Sequence, residues 1–203
     1  MCQPAYSPFS STTTFFSDDV EKYEYNVEKA KSLLKEARKE NLNLKLIYTS
    51  GSPSQEKEGL LVQEMLKDVG INVELVPMER GTFVEKLLDP SSKDFDLALN
   101  GYVMGEDPDS YSGLFATGSE ENFSGYSNPK VDELFNKAKL ETDENKRGEL
   151  YKEIQKILVD DAVQYSIADI KSILAVRNDF SNLEEANPAP IHMFDHFNKI
   201  EKQ

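Results

Sequence analysis

One cysteine, Cys2, stands in 203 residues, so the chain can form no internal disulfide and no cysteine-rich metal site. No apolar run reaches 18 residues, and no segment therefore reads as a membrane-spanning helix. The opening MCQPAYSPFS lacks the basic and apolar regions of a signal peptide, and it reads as a start inside a longer polypeptide. Basic residues are scarce, 23 against 37 acidic, which gives a net charge of −14. Such a field repels phosphate backbones and anionic membranes, so nucleic-acid binding is not expected. The two histidines, His192 and His196, lie four apart in HMFDH with Asp195 between them. On a helix that spacing suits a divalent metal. No glutamate follows the first histidine, and Pro188 and Pro190 precede the pair, so no metal site is assigned. No nucleophile-elbow or papain-like context surrounds Ser124 or Cys2, and nothing marks the chain as an enzyme or as the holder of a cofactor.

What remains is ordinary globular material, 38% apolar and 30% charged, enough for one domain or one large lobe. Residues 1–25, rich in Pro, Ser, Thr and aromatics, read as an extended lead-in lying on a surface. Asn26 is a good N-cap for a helix over 27–39 with Val27, Ala30, Leu33, Leu34 and Ala37 on one face. Leu42, Leu44 and Leu46 alternate as a strand. A helix over 55–69 carries Leu61, Met65, Leu66 and Val69, with Gly70 at its C-terminal end. A strand over 71–77, a helix over 82–88 and a strand over 95–99 follow. This alternation predicts an α/β domain with a mixed, mainly parallel sheet flanked by helices. Two more helices are expected over 129–140 and 143–159, the second burying Leu150, Ile154, Ile157 and Leu158, then strands over 165–168 and 173–176. The ligand-binding body covers 26–178, and 179–203 reads as an irregular tail.

The stretch from 100 to 128 is long for a connection in a compact domain, which marks it as functional or disordered. Its aromatics alternate with small polar residues, a composition suited to a wall that stacks against a ligand and hydrogen-bonds to it. Tyr102, Met104, Glu106, Asp107, Tyr111, Phe123 and Tyr126 are the candidate ligand contacts. Glu106, Asp107 and Asp109 crowd three carboxylates around Pro108. They suit either an ammonium group or a solvated turn in which Asp107 closes the backbone. The turn at 51–54 precedes a helix and could receive an anion on its N–H groups; a plain turn capped by Ser54 is the preferred reading.

Four segments together resemble the C-terminal lobe of the family 5 (peptide, oligopeptide and nickel type) solute-binding proteins of ABC transporters. YNVEKAKSLLKEA at 25–37 is similar to Y-D-P-E-K-A-K-x-L-L-x-E-A, and QEMLKDVGINVELVP at 63–77 to Q-x-x-L-K-x-x-G-I-x-V-E-L-x-P. DFDL at 94–97 leads on to DPD at 107–109. GYSNPKVDEL at 125–134 is followed by RGELY at 147–151. The match covers roughly residues 5 to 180.

The resemblance implies a type II periplasmic-binding-protein-like lobe of a two-lobed receptor that closes on its ligand, the N-terminal lobe lying outside these residues. It implies capture of peptides outside the cell and delivery to a membrane permease. The receptor would be a Gram-positive surface lipoprotein or a periplasmic protein, held at the membrane only by a lipid anchor outside this chain. The alternative is a peptide-sensing or pheromone-binding lipoprotein with a signalling output. In peptide-binding members, G-W-x-x-D-Y-P-D-P-D supplies an Asp for the ligand's α-ammonium. Here the run from Gly101 is one residue shorter, Tyr102 replaces the Trp, and Met104 or Gly105 falls where that Asp would be. Glu106 is one candidate replacement; recognition through the peptide backbone is the other. Methionine there makes an adaptable contact suited to a permissive site.

Overall fold

Short polar side chains open the helices that the sequence marks most clearly. Asn26 Oδ1 accepts the Lys29 N–H at 2.8 Å, and Asp143 Oδ1 accepts the Lys146 N–H at 3.0 Å. The computed structural model describes residues 2–89, 91–92, 94–171, 173–189 and 193–203. In chain order these form β1 (Cys2–Pro4), α1 (Val27–Glu36), β2 (Asn43–Thr49), α2 (Pro53–Lys67), β3 (Asn72–Met78), α3 (Arg80–Leu88) and β4 (Leu97–Ala98). Then come α4 (Ser112–Phe115), α5 (Pro129–Leu140), α6 (Glu144–Asp160) and β5 (Ala168–Ile170). The chain ends with the two-residue strands β6 (Phe180–Ser181), β7 (Pro188–Ala189), β8 (Met193–Phe194) and β9 (Glu201–Lys202).

Contacts divide the chain into two units. One comprises Met1–Glu21, Val103–Ser110 and Lys137–Gln203; the other comprises Lys22–Tyr102 and Tyr111–Asn136.

The second unit holds the parallel sheet, in the order β3-β2-β4. Its central strand is buried on both faces, as crossover helices require. Leu46 and Tyr48 join Ile71, Val73 and Leu99 on one side, while Ile47 joins Phe83 and Leu87 on the other. Helix α2 meets the first cluster through Val62 and Leu66, and Gly59 lies against Leu75 and Leu46. Leu61 and Met65, expected on that face, point outward, Leu61 being 52% exposed. Helix α2 therefore seats with the 59–62–66 stripe inward. Helix α1 ends at Glu36, and of its apolar residues Leu34 packs on the core while Leu33 is exposed. The cap of α2 is Ser52, not Ser54, because Pro53 occupies the first helical position.

In the first unit, α6 buries Gly148, Tyr151, Ile154, Gln155, Leu158 and Val159. Leu150 and Ile157, expected inside, are only half-buried. The lead-in is less peripheral than its composition suggests: Ser7, Phe9 and Thr13 are buried. β1 pairs antiparallel with β5, which begins at Ala168 rather than at 165. Residues 173–176, expected as a strand, join no ladder among the described residues. The tail carries two antiparallel ladders, β6 with β9 and β7 with β8, and is therefore not irregular throughout.

Candidate functional site

The connection from 100 to 128 is not structureless. A 3-10 turn over Pro108–Tyr111 runs into α4. Asp107 starts it: its Oδ1 accepts the Asp109 N–H at 3.0 Å and its carbonyl accepts the Ser110 N–H at 3.3 Å. Pro108, with φ fixed by its ring, suits the first turn position. The seven candidate contacts divide between the two units. Met104, Glu106 and Asp107 lie in the first; Tyr102, Tyr111, Phe123 and Tyr126 lie in the second.

In the second unit, Tyr102 follows β4 at the carboxyl end of the parallel strands. Ligands of open α/β sheets bind outside that edge. Its ring stacks on Phe123, centroids 6.0 Å apart and planes 14° from parallel. Phe123 in turn packs against the Ile47–Phe83–Leu87 cluster, so the platform is fixed from below. Tyr102 remains 43% exposed. The Nδ2 of Asn100 donates to its hydroxyl at 3.0 Å. Burial pushes the phenol up to about 12, opposed by the Asn100 hydrogen bond and reinforced by the charge of Glu121. Tyr126 is half-buried, and Tyr111 is only 2% exposed, its ring in the interior.

Asn122, which no sequence pattern marks, organises this wall. Its Nδ2 donates to the carbonyls of Ala116 at 3.0 Å and Tyr126 at 2.7 Å, and its Oδ1 accepts the Tyr126 N–H at 3.1 Å. Gln55 does similar work at the sheet edge. Its Oε1 accepts the Thr49 N–H at 3.1 Å while its Nε2 donates to the Leu99 carbonyl at 3.2 Å, joining the exits of two neighbouring strands.

In the first unit, Met104 is half-buried, while Glu106 and Asp107 are exposed. The two acids line an open depression of about 500 Å³, together with Phe15, Glu141, Glu144 and Arg147. Four carboxylates against one guanidinium favour a cationic group there over an anion. The turn is held from behind. Thr14 N–H donates to the Glu106 carbonyl at 2.9 Å, and Thr13 Oγ1 donates to the Gly105 carbonyl at 3.4 Å. A second depression of similar size, lined by Asn43, Asn72 and Asp94, sits at the amino ends of the strands, away from their carboxyl edge. His192 of the HMFDH pair lies outside the described residues.

A parallel sheet wrapped by crossover helices, with an aromatic platform at its carboxyl edge, is an α/β arrangement of the class that holds ligands outside that edge. Residues 2–124 match the family model described as bacterial extracellular solute-binding proteins, family 5 Middle, and the chain belongs to that family, a transport family rather than an enzymatic one. It is 33% identical over 178 residues to the peptide transport periplasmic protein SapA of Salmonella typhimurium, covering 83% of this chain and 32% of SapA. Among solved structures it is similar to the ABC transporter substrate-binding protein CtaP of Listeria monocytogenes, with 34% identity and a TM-score of 0.93 over 99% of this chain and 41% of that one. The periplasmic binding protein DppA of Helicobacter pylori, solved with the peptide STSA, matches with 28% identity and a TM-score of 0.72, over 82% of this chain and 33% of that one. The fold is thus type II periplasmic-binding-protein-like. The chain spans roughly a third of the length of the curated relatives it matches. Among the described residues, no helix is long and apolar enough to cross a membrane.

Proposed function

We propose that this chain forms one lobe of an extracytoplasmic receptor that captures peptides and hands them to an ABC-transporter permease. The observation that carries the reading is the Tyr102–Phe123 stack, an exposed ring fixed on a half-buried one at the carboxyl edge of the sheet. An immobile aromatic face gives apolar contact area at little entropic cost, and the adjacent Asn100 offers polar contacts. In the other unit, Glu106 and Asp107 are the acids available to a peptide's ammonium group. Glu106 is the better placed for it, since its side chain makes no turn contact whereas Asp107 is engaged in starting a helix. The peptides named for SapA and seen in DppA support the same ligand class. The second lobe, the permease and any lipid anchor belong to the rest of the proposed receptor.

Calorimetric titration of the full-length protein with short and with long random-sequence peptide pools tests the reading. Heat is expected with peptides, and Tyr102→Ala should weaken binding about tenfold, as loss of a central aromatic contact does. Silence with both pools and a response to sugars or nickel would overturn it.

A further inference from the structure

Two costly features meet at one side chain in the first unit. Among the described residues, the Nε of Arg147 is buried without a hydrogen-bond partner. Beside it, Phe15 holds φ +63°, a left-handed conformation that bulky residues avoid. Buried orphan donors and strained backbones persist where surrounding structure enforces them, and they gather at functional sites. A methionine or leucine would fill the same space with no orphan donor, so packing alone does not account for an arginine.

The guanidinium bears on the 105–107 turn by two routes. Directly, its Nη2 stands 3.9 Å from Asp107 Oδ1, outside hydrogen-bond range but well inside Coulombic range. Indirectly, its Cζ lies 6.0 Å from the Phe15 ring centroid and 5.6 Å from that of Tyr151, and those two rings stack 5.9 Å apart at 11°. Phe15 follows Thr14, whose N–H binds the Glu106 carbonyl. The Phe15 carbonyl accepts from Gln155 Nε2 at 2.9 Å, and Gly148 leaves the ring room, since a Cβ there would stand 3.0 Å from its Cδ1. The strained residue is therefore clamped on three sides, and Arg147 covers its ring.

We propose that Arg147 is a positioning residue: it sets the 105–107 turn in the conformation that presents Glu106 to the ligand, through Asp107 on one side and the Phe15–Thr14 segment on the other. The assignment rests on the reading of Glu106 as a ligand contact. Glu141 and Glu144 line the same depression as Arg147.

The test uses the full-length protein with Arg147→Met, Arg147→Lys, Asp107→Asn and the double variant R147M/D107N. The probe is the random peptide pool, and the second readout is amide hydrogen exchange at Thr14 and Asp109. R147M should weaken pool binding about tenfold and speed exchange at both amides, with R147K recovering part of each because it keeps charge but not the planar stack. The double variant should bind no more weakly than R147M, since both substitutions break one connection. Wild-type affinity and unchanged exchange in R147M would overturn the proposal. So would an affinity loss in R147M and R147K alike that only tracks a global fall in thermal midpoint. If the wild-type protein binds no peptide, the transport reading fails by itself, and exchange at Thr14 still decides whether Arg147 holds the turn.

Discussion

Ser7 Oγ donates to Gln155 Oε1 at 2.9 Å, joining two buried side chains 148 residues apart. The same Oε1 accepts the Ser17 N–H at 2.9 Å, and Nε2 donates to the carbonyls of Phe15 and Tyr151, each at 2.9 Å. All four hydrogen-bonding positions of the amide are thus filled, and three of them fasten the lead-in onto α6. Gln155→Leu removes the amide and strands those partners in a buried setting. A loss of about 2–4 kcal/mol in urea unfolding is expected, with faster amide exchange concentrated over residues 7–17. A loss under about 0.5 kcal/mol would mean that the Gln155 network does not hold the lead-in in place.

Two buried helical glycines should respond oppositely to alanine. At Gly59 an added Cβ meets Leu75 Cδ2 at 3.4 Å, an ordinary contact, so Gly59→Ala should stabilise by about 0.5 kcal/mol through helix propensity. At Gly148 the Cβ meets the Phe15 ring at 3.0 and 3.3 Å. That ring is stacked on Tyr151 and its backbone is clamped by Gln155, so it has nowhere to go. Gly148→Ala should destabilise by about 1–2 kcal/mol despite the gain in propensity. Thermal and urea unfolding of the two variants side by side would check the contrast, and similar shifts in both would refute it.

The sheet and its helices were legible because their apolar residues keep period and their caps are short polar side chains, as at Asn26 and Asp143. In and just beyond α2, and on α6, the expected Leu66, Val69, Ile154 and Leu158 do face the interior, but Leu61 and Met65 are exposed and Leu150 and Ile157 only half-buried. Hydropathy favours Leu61 and Leu150, whereas Gly59 and Gly148 face inward, the latter because the Phe15 ring leaves no room for a side chain, and the interior of α6 takes the polar Gln155 once its partners are known. Those partners come from a segment more than 130 residues away, which no local pattern reports. Within the candidate wall the aromatics announced themselves by composition. Asn122 and Arg147 did not, because each works through geometry set by other segments.

Phe123 and Tyr102 form one stack but carry different loads. Half-buried Phe123 packs on the Ile47–Phe83–Leu87 cluster and supports the ring above it, so Phe123→Ala should cost about 2 kcal/mol of stability and weaken peptide binding indirectly. Tyr102→Ala should leave stability within about 1 kcal/mol while lowering affinity. Denaturation and titration of both variants separate the roles, and equal stability losses would contradict the division.

The Tyr102 phenol also makes a prediction at alkaline pH. Its proton is held to about 12 in the folded protein against an ordinary value of 10.0, chiefly because burial disfavours the phenolate. Below pH 10.0 the folded and unfolded states both keep the proton, and this group's contribution to stability is fully present. Between 10.0 and about 12 the unfolded chain has lost the proton and the folded one has not, so each step up in pH favours unfolding. Tyr102→Phe cannot ionise and removes that slope. Other tyrosines whose hydroxyls are raised, Tyr25 and Tyr151, are common to both proteins and drop out of the comparison. Urea unfolding across this window should show the variant gaining on the wild type as pH rises. Parallel curves would mean that the Tyr102 hydroxyl is open to solvent and ionises as a free phenol does.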